Sequence, residues 1–151
     1  MSRDTRIVAL CLAALAVIIV GSSFLATFAI GAGASEWLRW PFRLLCHGMA
    51  RRCFVLAGTP MPLCARCLGI YSGLFAALLL YPLAPVKERL MRIVMFVAAT
   101  PLLIDGFTQL AGLRESTNPL RLATGLTAGA AFGLWVLVAI EMRARQRFAA
   151  S

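Results

Sequence analysis

Four long runs of apolar residues, nearly free of charge, constrain this chain more than any other feature of its sequence. A helical crossing of a bilayer core needs about 20 such residues, and the runs fall at about 7–30, 64–84, 93–113 and 120–141. The second closes on Pro82 and Pro85, the third lies between Arg92 and Arg114, and the fourth precedes Arg143, Arg145 and Arg147. In lipid, every backbone N–H and C=O has to be satisfied within the chain, so each run is expected to be a helix. The expected fold class is therefore all-α: a single integral membrane domain over 1–151, polytopic, a four-helix transmembrane bundle with one long first loop at 31–63. The composition agrees, with 61% apolar and 14% charged residues against about half and a quarter in soluble domains. The formal charge of +9 does not imply a nucleic-acid partner, because the arginines punctuate the apolar runs instead of lining a soluble face. The partner expected is the lipid bilayer.

The first run could be taken for a signal peptide, with Arg3 and Arg6 before it and Ala32-Gly33-Ala34 after it. Signal h-regions span about 7–15 residues and this run is longer, so a retained signal anchor is expected. Lysines and arginines divide almost evenly between the two sides of a four-span topology, and the positive-inside rule alone does not orient it. Discounting loop arginines that hold a ligand places the N-terminus in the cytoplasm. Gly69 and Gly73, and Gly125, Gly129 and Gly133, recur every four residues and offer smooth faces for close helix packing. Trp37 and Trp40 suit an interfacial belt, and Cys11 suits packing.

Nearly all the chemically capable side chains fall in the first loop, the third loop and the adjoining helix ends. In Met61-Pro62-Leu63-Cys64-Ala65-Arg66-Cys67, Pro62 suits the first turn of a helix. Cys64 and Cys67 then occupy that turn, where free N–H groups and the helix dipole lower thiol pKa values. Tyr71 follows on the same face. With Cys46 and His47 upstream, the set reads as a metal site of Cys46, His47, Cys64 and Cys67, for which zinc is the default ion. Adjacent residues such as Cys46 and His47 rarely both reach one ion, so a three-ligand site with an open position is the variant.

Two further features belong to this end. Asp105 interrupts the third run, where a carboxylate costs about 2.5–3.5 kcal/mol and implies a function or a buried partner; Asp105 and Tyr71 are the candidate acid/base pair. Asn118 and Pro119 read as N-cap and first residue of the last helix. Arg114 and Arg121 flank that helix start, and with Arg52, Arg66, Asn118 and Gln109 they form a candidate site for an anion, such as the phosphate of an anionic or phosphate-bearing lipid. An alternative uses the same thiols. Cys64-x-x-Cys67 at the end of a span, with Cys46 and Cys53 nearby, resembles in layout the quinone-linked membrane enzymes that form disulfides, with quinone as cofactor and Cys46–Cys53 as shuttle pair.

Cys46-His47, Arg52, Phe54, Met61 to Cys67, Gly69-Ile70-Tyr71 and Gly73, followed by Asp105-Gly106, Thr108-Gln109, Gly112, Arg114, Ser116-Thr117-Asn118, Arg121 and Thr124-Gly125, resemble a family of small prokaryotic predicted membrane proteins of unknown function. The resemblance covers roughly Cys46 to Gly129 and implies a multi-pass membrane protein; the location expected is the prokaryotic cytoplasmic membrane. It supplies no activity. Cys53 and Leu68 stand where the family usually has Ser and Thr, which disfavours a shared Cys46–Cys53 shuttle and favours the metal set.

Overall fold

The apolar runs become helices α1 (Arg3–Gly31), α2 (Ala65–Leu80), α3 (Glu88–Leu110) and α4 (Asn118–Ala149) in a computed structural model that describes residues 1–84 and 87–149. All four are long and apolar enough to cross a membrane, α2 being extended to Leu83 by a 3-10 turn. Pro82 lies within that turn, while Pro85 lies outside the described residues. Phe96, Val97, Phe107 and Leu110 on α3, and Leu10, Ile18 and Leu25 on α1, are exposed. Continuous apolar surface of this kind marks a membrane or protein contact, and on crossing-length helices it is the lipid face.

α2 and α4 form the central pair; α1 rests chiefly on α2 and α3 on α4. Glycine dictates the approach of the central pair. A Cβ on Gly69 would strike the carbonyl of Leu122, one on Gly73 that of Leu126, one on Gly125 that of Arg66 and one on Gly129 that of Ile70. Backbone lies directly against backbone, which gains dispersion contacts where lipid offers no hydrophobic drive. Gly129→Val is therefore expected to destabilise the bundle by about 3 kcal/mol, the upper end for overpacking, because no flexible side chain can give way. Gly21→Val, at a site with no atom near the new Cβ, should be neutral. Equal unfolding midpoints of the two variants in a denaturing-detergent titration would contradict this account.

Helix ends differ from the sequence expectation for local reasons. α3 stops at Leu110 instead of continuing to Leu113, because Gly112 takes a left-handed φ of 69°. The Gly112 N–H then reaches the Gln109 carbonyl at 3.2 Å and the Leu113 N–H that of Thr108 at 3.0 Å, a Schellman ending. The turn sends Arg114 back toward α3. α4 continues past 141 to Ala149, and its buried Glu141 accepts from the Ser2 N–H at 2.6 Å and the Thr5 hydroxyl at 2.9 Å, tying α1 to α4 at the end remote from the cysteines.

The long loop is structured. A 3-10 segment, Glu36–Leu44, leads into an antiparallel hairpin of β1 (Cys53–Leu56) and β2 (Thr59–Cys64). Its two-residue turn, Ala57-Gly58, has φ of 48° and 81°, the sign pattern of a type I′ turn. The chain is thus mostly helical with a small hairpin added. Pro62 sits in β2 and not in the first turn of α2. Pro60 and Pro62 argue against a strand in sequence; a two-stranded hairpin tolerates them because each strand has an unpaired outer edge.

Candidate metal centre

The hairpin and the first turn of α2 position the thiols. β2 runs straight into α2, so Cys64 becomes the N-cap, and its sulfur accepts from the Cys67 N–H at 3.5 Å. Leu63, fully buried, packs with Phe42 of the 3-10 segment and with Ile19 and Ala26 of α1. This core holds Cys46 in place, whose N–H bonds the Phe42 carbonyl at 2.8 Å. The Cys46 sulfur accepts from the N–H groups of Cys64 at 3.3 Å and Gly48 at 3.5 Å. As a result the sulfurs of Cys46, Cys64 and Cys67 all lie within 4.8 Å of one another. Three thiols at this separation can hold a metal ion.

Charge favours the same use. Hydrogen bonds from the Cys64 and Cys67 thiols, joined by the two backbone N–H groups, hold the Cys46 thiol well below the ordinary thiol range despite its burial. Cys53 behaves oppositely: burial, then the neighbouring Cys64 and Cys46 sulfurs, push its thiol up to about 11. It donates to the Met49 carbonyl at 3.2 Å and packs with Met61 and Leu68. Cys53 is thus a protonated packing residue at neutral pH. If the cluster holds a metal, Cys53→Ser, which keeps a donor for that carbonyl, is expected to bind as much of it as the wild type; lower metal content by elemental analysis would place Cys53 among the ligands.

The three sulfurs open on a cavity of about 320 Å³ whose walls include His47, Arg52 and Arg66. His47 is exposed on this cavity and outside the three-sulfur group. The structure thus brings together three of the four metal candidates and leaves the fourth at the rim.

Beside the cavity, the buried Asp105 organises most of the remaining polar residues. One carboxylate oxygen accepts from Arg66 and from the Gln109 amide at 2.8 Å, the other from Arg114 at 3.0 Å. The Gln109 carbonyl oxygen accepts from Arg121 at 3.0 Å, and Arg121 also donates to Asn118 at 2.9 Å. Asn118 in turn donates to the Cys53 carbonyl at 3.0 Å. The first residue of α4 is therefore tied to the hairpin by its side chain, and one network joins β1, α2, α3 and α4. No hydrogen bond links Tyr71 to Asp105 among the described residues. Tyr71 instead packs, as Cys64 and Cys67 do, against the core that contains Ile19, Phe42 and Leu63, and lines an apolar cavity of about 290 Å³ between α1 and α2.

Three buried nitrogens, Arg66 Nε, Arg121 Nε and Trp135 Nε1, have no hydrogen-bond partner among the described residues, and the two arginine atoms lie at this end. Sequence reasoning had no signal for these, nor for the Glu141 tie, since each depends on which helix end faces which.

A thiol cluster over crossing helices, with an arginine-carboxylate network beside it, defines the class: an integral membrane protein with a polar centre at one end of its bundle. Residues 46–135 match the predicted membrane protein family DUF2085, and the chain belongs to that family. It is 45% identical over 100 residues to an uncharacterised protein of Methanothermobacter thermautotrophicus, covering 66% of this chain and 88% of the relative. A second uncharacterised protein, from Methanocaldococcus jannaschii, is 38% identical over 99 residues, or 64% of each chain. No solved structure matches. The matched region begins at Cys46 and contains the clustered cysteines, the hairpin, Asp105 and its arginines.

Proposed function

We propose that this membrane protein binds zinc through Cys46, Cys64 and Cys67 at the lipid–water interface, with His47 available at the cavity rim. The observation that carries the reading is the mutual approach of three sulfurs to within 4.8 Å. Zinc–sulfur bonds of about 2.3 Å at tetrahedral angles put ligand sulfurs roughly 3.8 Å apart, so only small side-chain adjustments are needed. Backbone N–H groups on the Cys46 and Cys64 sulfurs stabilise thiolates, the form that ligates. Arg66 and Arg114 pair with the single buried Asp105, Arg121 donates to Gln109 and Asn118, and Arg52 lines the thiol cavity; this excess of arginine over carboxylate supports binding of an anionic group such as a lipid phosphate. Asp105 acts in this reading as the counter-ion that orders these arginines. The membrane is the prokaryotic cytoplasmic membrane, with the N-terminus in the cytoplasm and the thiols at the opposite face.

Elemental analysis of the detergent-purified chain, paired with a free-thiol count under anaerobic denaturation, tests this. About one zinc per chain with all five cysteines reduced is the expected result. Metal-free protein lacking two thiols would overturn it in favour of thiol–disulfide chemistry. One observation favours that second reading: Cys53 lies directly across the hairpin from Cys64, which places a fourth cysteine at the same end. Oxidation of Cys64 and Cys67 to a disulfide would release two electrons and two protons, taken up by a quinone as quinol. The apolar cavity beside Tyr71 is the place for the quinone ring.

A further inference from the structure

The Cys46–Cys64–Cys67 group supplies three ligands on one side of an ion, and the cavity of about 320 Å³ lies on the other. Zinc takes four ligands, so an ion held by these sulfurs would have its fourth position open to that cavity. Three thiolates on a dication would leave one net negative charge, while Arg52 and Arg66 line the cavity and Arg66 also holds the buried Asp105. Arg66 is half committed: it holds Asp105, while its buried Nε has no partner among the described residues. Arg52 lines the cavity, and no carboxylate lines it with Arg52 among the described residues. A buried guanidinium N–H without a partner, as at Arg66 Nε, is costly and calls for an acceptor.

Resting on the metal reading above, we infer that the fourth coordination position is exchangeable and takes a phosphate-class oxyanion, one oxygen on the metal and the others on Arg52 and Arg66. A phosphate group carries the charge these arginines require and has oxygens enough to bridge metal and guanidinium. It could come as free phosphate or as the headgroup of a phosphomonoester lipid, whose chains would have the apolar cavity at Tyr71 within reach.

Cobalt-substituted full-length protein tests this, because the visible ligand-field bands of cobalt respond to a change of directly bound ligand. Cobalt-loaded chain in phosphatidylcholine nanodiscs should shift its bands on addition of inorganic phosphate. Arg52→Ala should keep one cobalt per chain while weakening the phosphate response about tenfold or more. Nanodiscs containing phosphatidic acid separate the sources: shifted bands without added phosphate identify the lipid, and a shift with inorganic phosphate alone identifies the free anion. Full cobalt loading with bands indifferent to both would overturn the inference and leave the metal site standing. In that case a band change in His47→Ala would show that the histidine closes the fourth position. Failure to load cobalt would overturn both readings together.

Discussion

On the zinc reading, protein in which Cys64 and Cys67 are both replaced by serine is expected to bind no metal, falling from about one ion per chain to background. Serine nearly conserves volume and hydrogen bonding, and the hydroxyl introduced at position 64 can still cap α2, so the fold should survive. A hydroxyl does not ionise at neutral pH, however, and the ion is left with a single thiolate at Cys46. Cys64 is the more sensitive of the pair, since it is both ligand candidate and helix N-cap. Cys11→Ser, in an exposed position on α1 outside the cluster, is the matching control and should leave the metal content unchanged. Elemental analysis of the wild type and the two variants decides the matter; stoichiometric metal in the double variant would rule out these sulfurs as ligands.

Asp105→Leu is expected to cost the bundle about 3 kcal/mol, the lower end for breaking a buried ion pair by removal of one partner. Asp105 is 2% exposed and its partners Arg66 and Arg114 are 25% and 50% exposed, so water can recover part of the loss at the arginines. The Gln109 amide would also lose its acceptor, and through Arg121 and Asn118 the effect reaches the hairpin. Adding Arg66→Met should recover part of the stability, since an apolar pair replaces a stranded charge. Detergent-unfolding midpoints of the single and double variants measure this. A stable Asp105→Leu protein with altered ligand binding would instead assign Asp105 a direct role at the site.

The cysteines show how much of the centre can be read along the chain. Cys64-x-x-Cys67 marks a candidate ligand pair by spacing, because residues three apart at a helix start converge on one point, whereas Cys46 joins them only through the fold. The place of His47 cannot be read this way: its neighbour Cys46 turns into the cluster, held by the Cys64 and Gly48 N–H groups, and the histidine is carried outward. Asp105 is conspicuous in an apolar run, yet its partners are set by a left-handed Gly112 that returns Arg114 to it and by α2, which brings Arg66. The hairpin escapes sequence reading because its second strand holds two prolines, and only the free edges of a two-stranded sheet make them acceptable.

Membrane residence, four helices of crossing length, glycine faces suited to close packing and the polar end of the bundle are all determined by the sequence itself; that the two glycine faces meet is decided by the fold. The reason is physical: lipid forbids unsatisfied backbone, so long apolar runs have to be helices, and a four-residue glycine period has one surface to offer. Tertiary structure alone decided which thiols meet, which arginines Asp105 neutralises and which of their nitrogens stay unpaired. Those outcomes rest on distances of a few ångströms between residues far apart in the chain, and no local propensity encodes them.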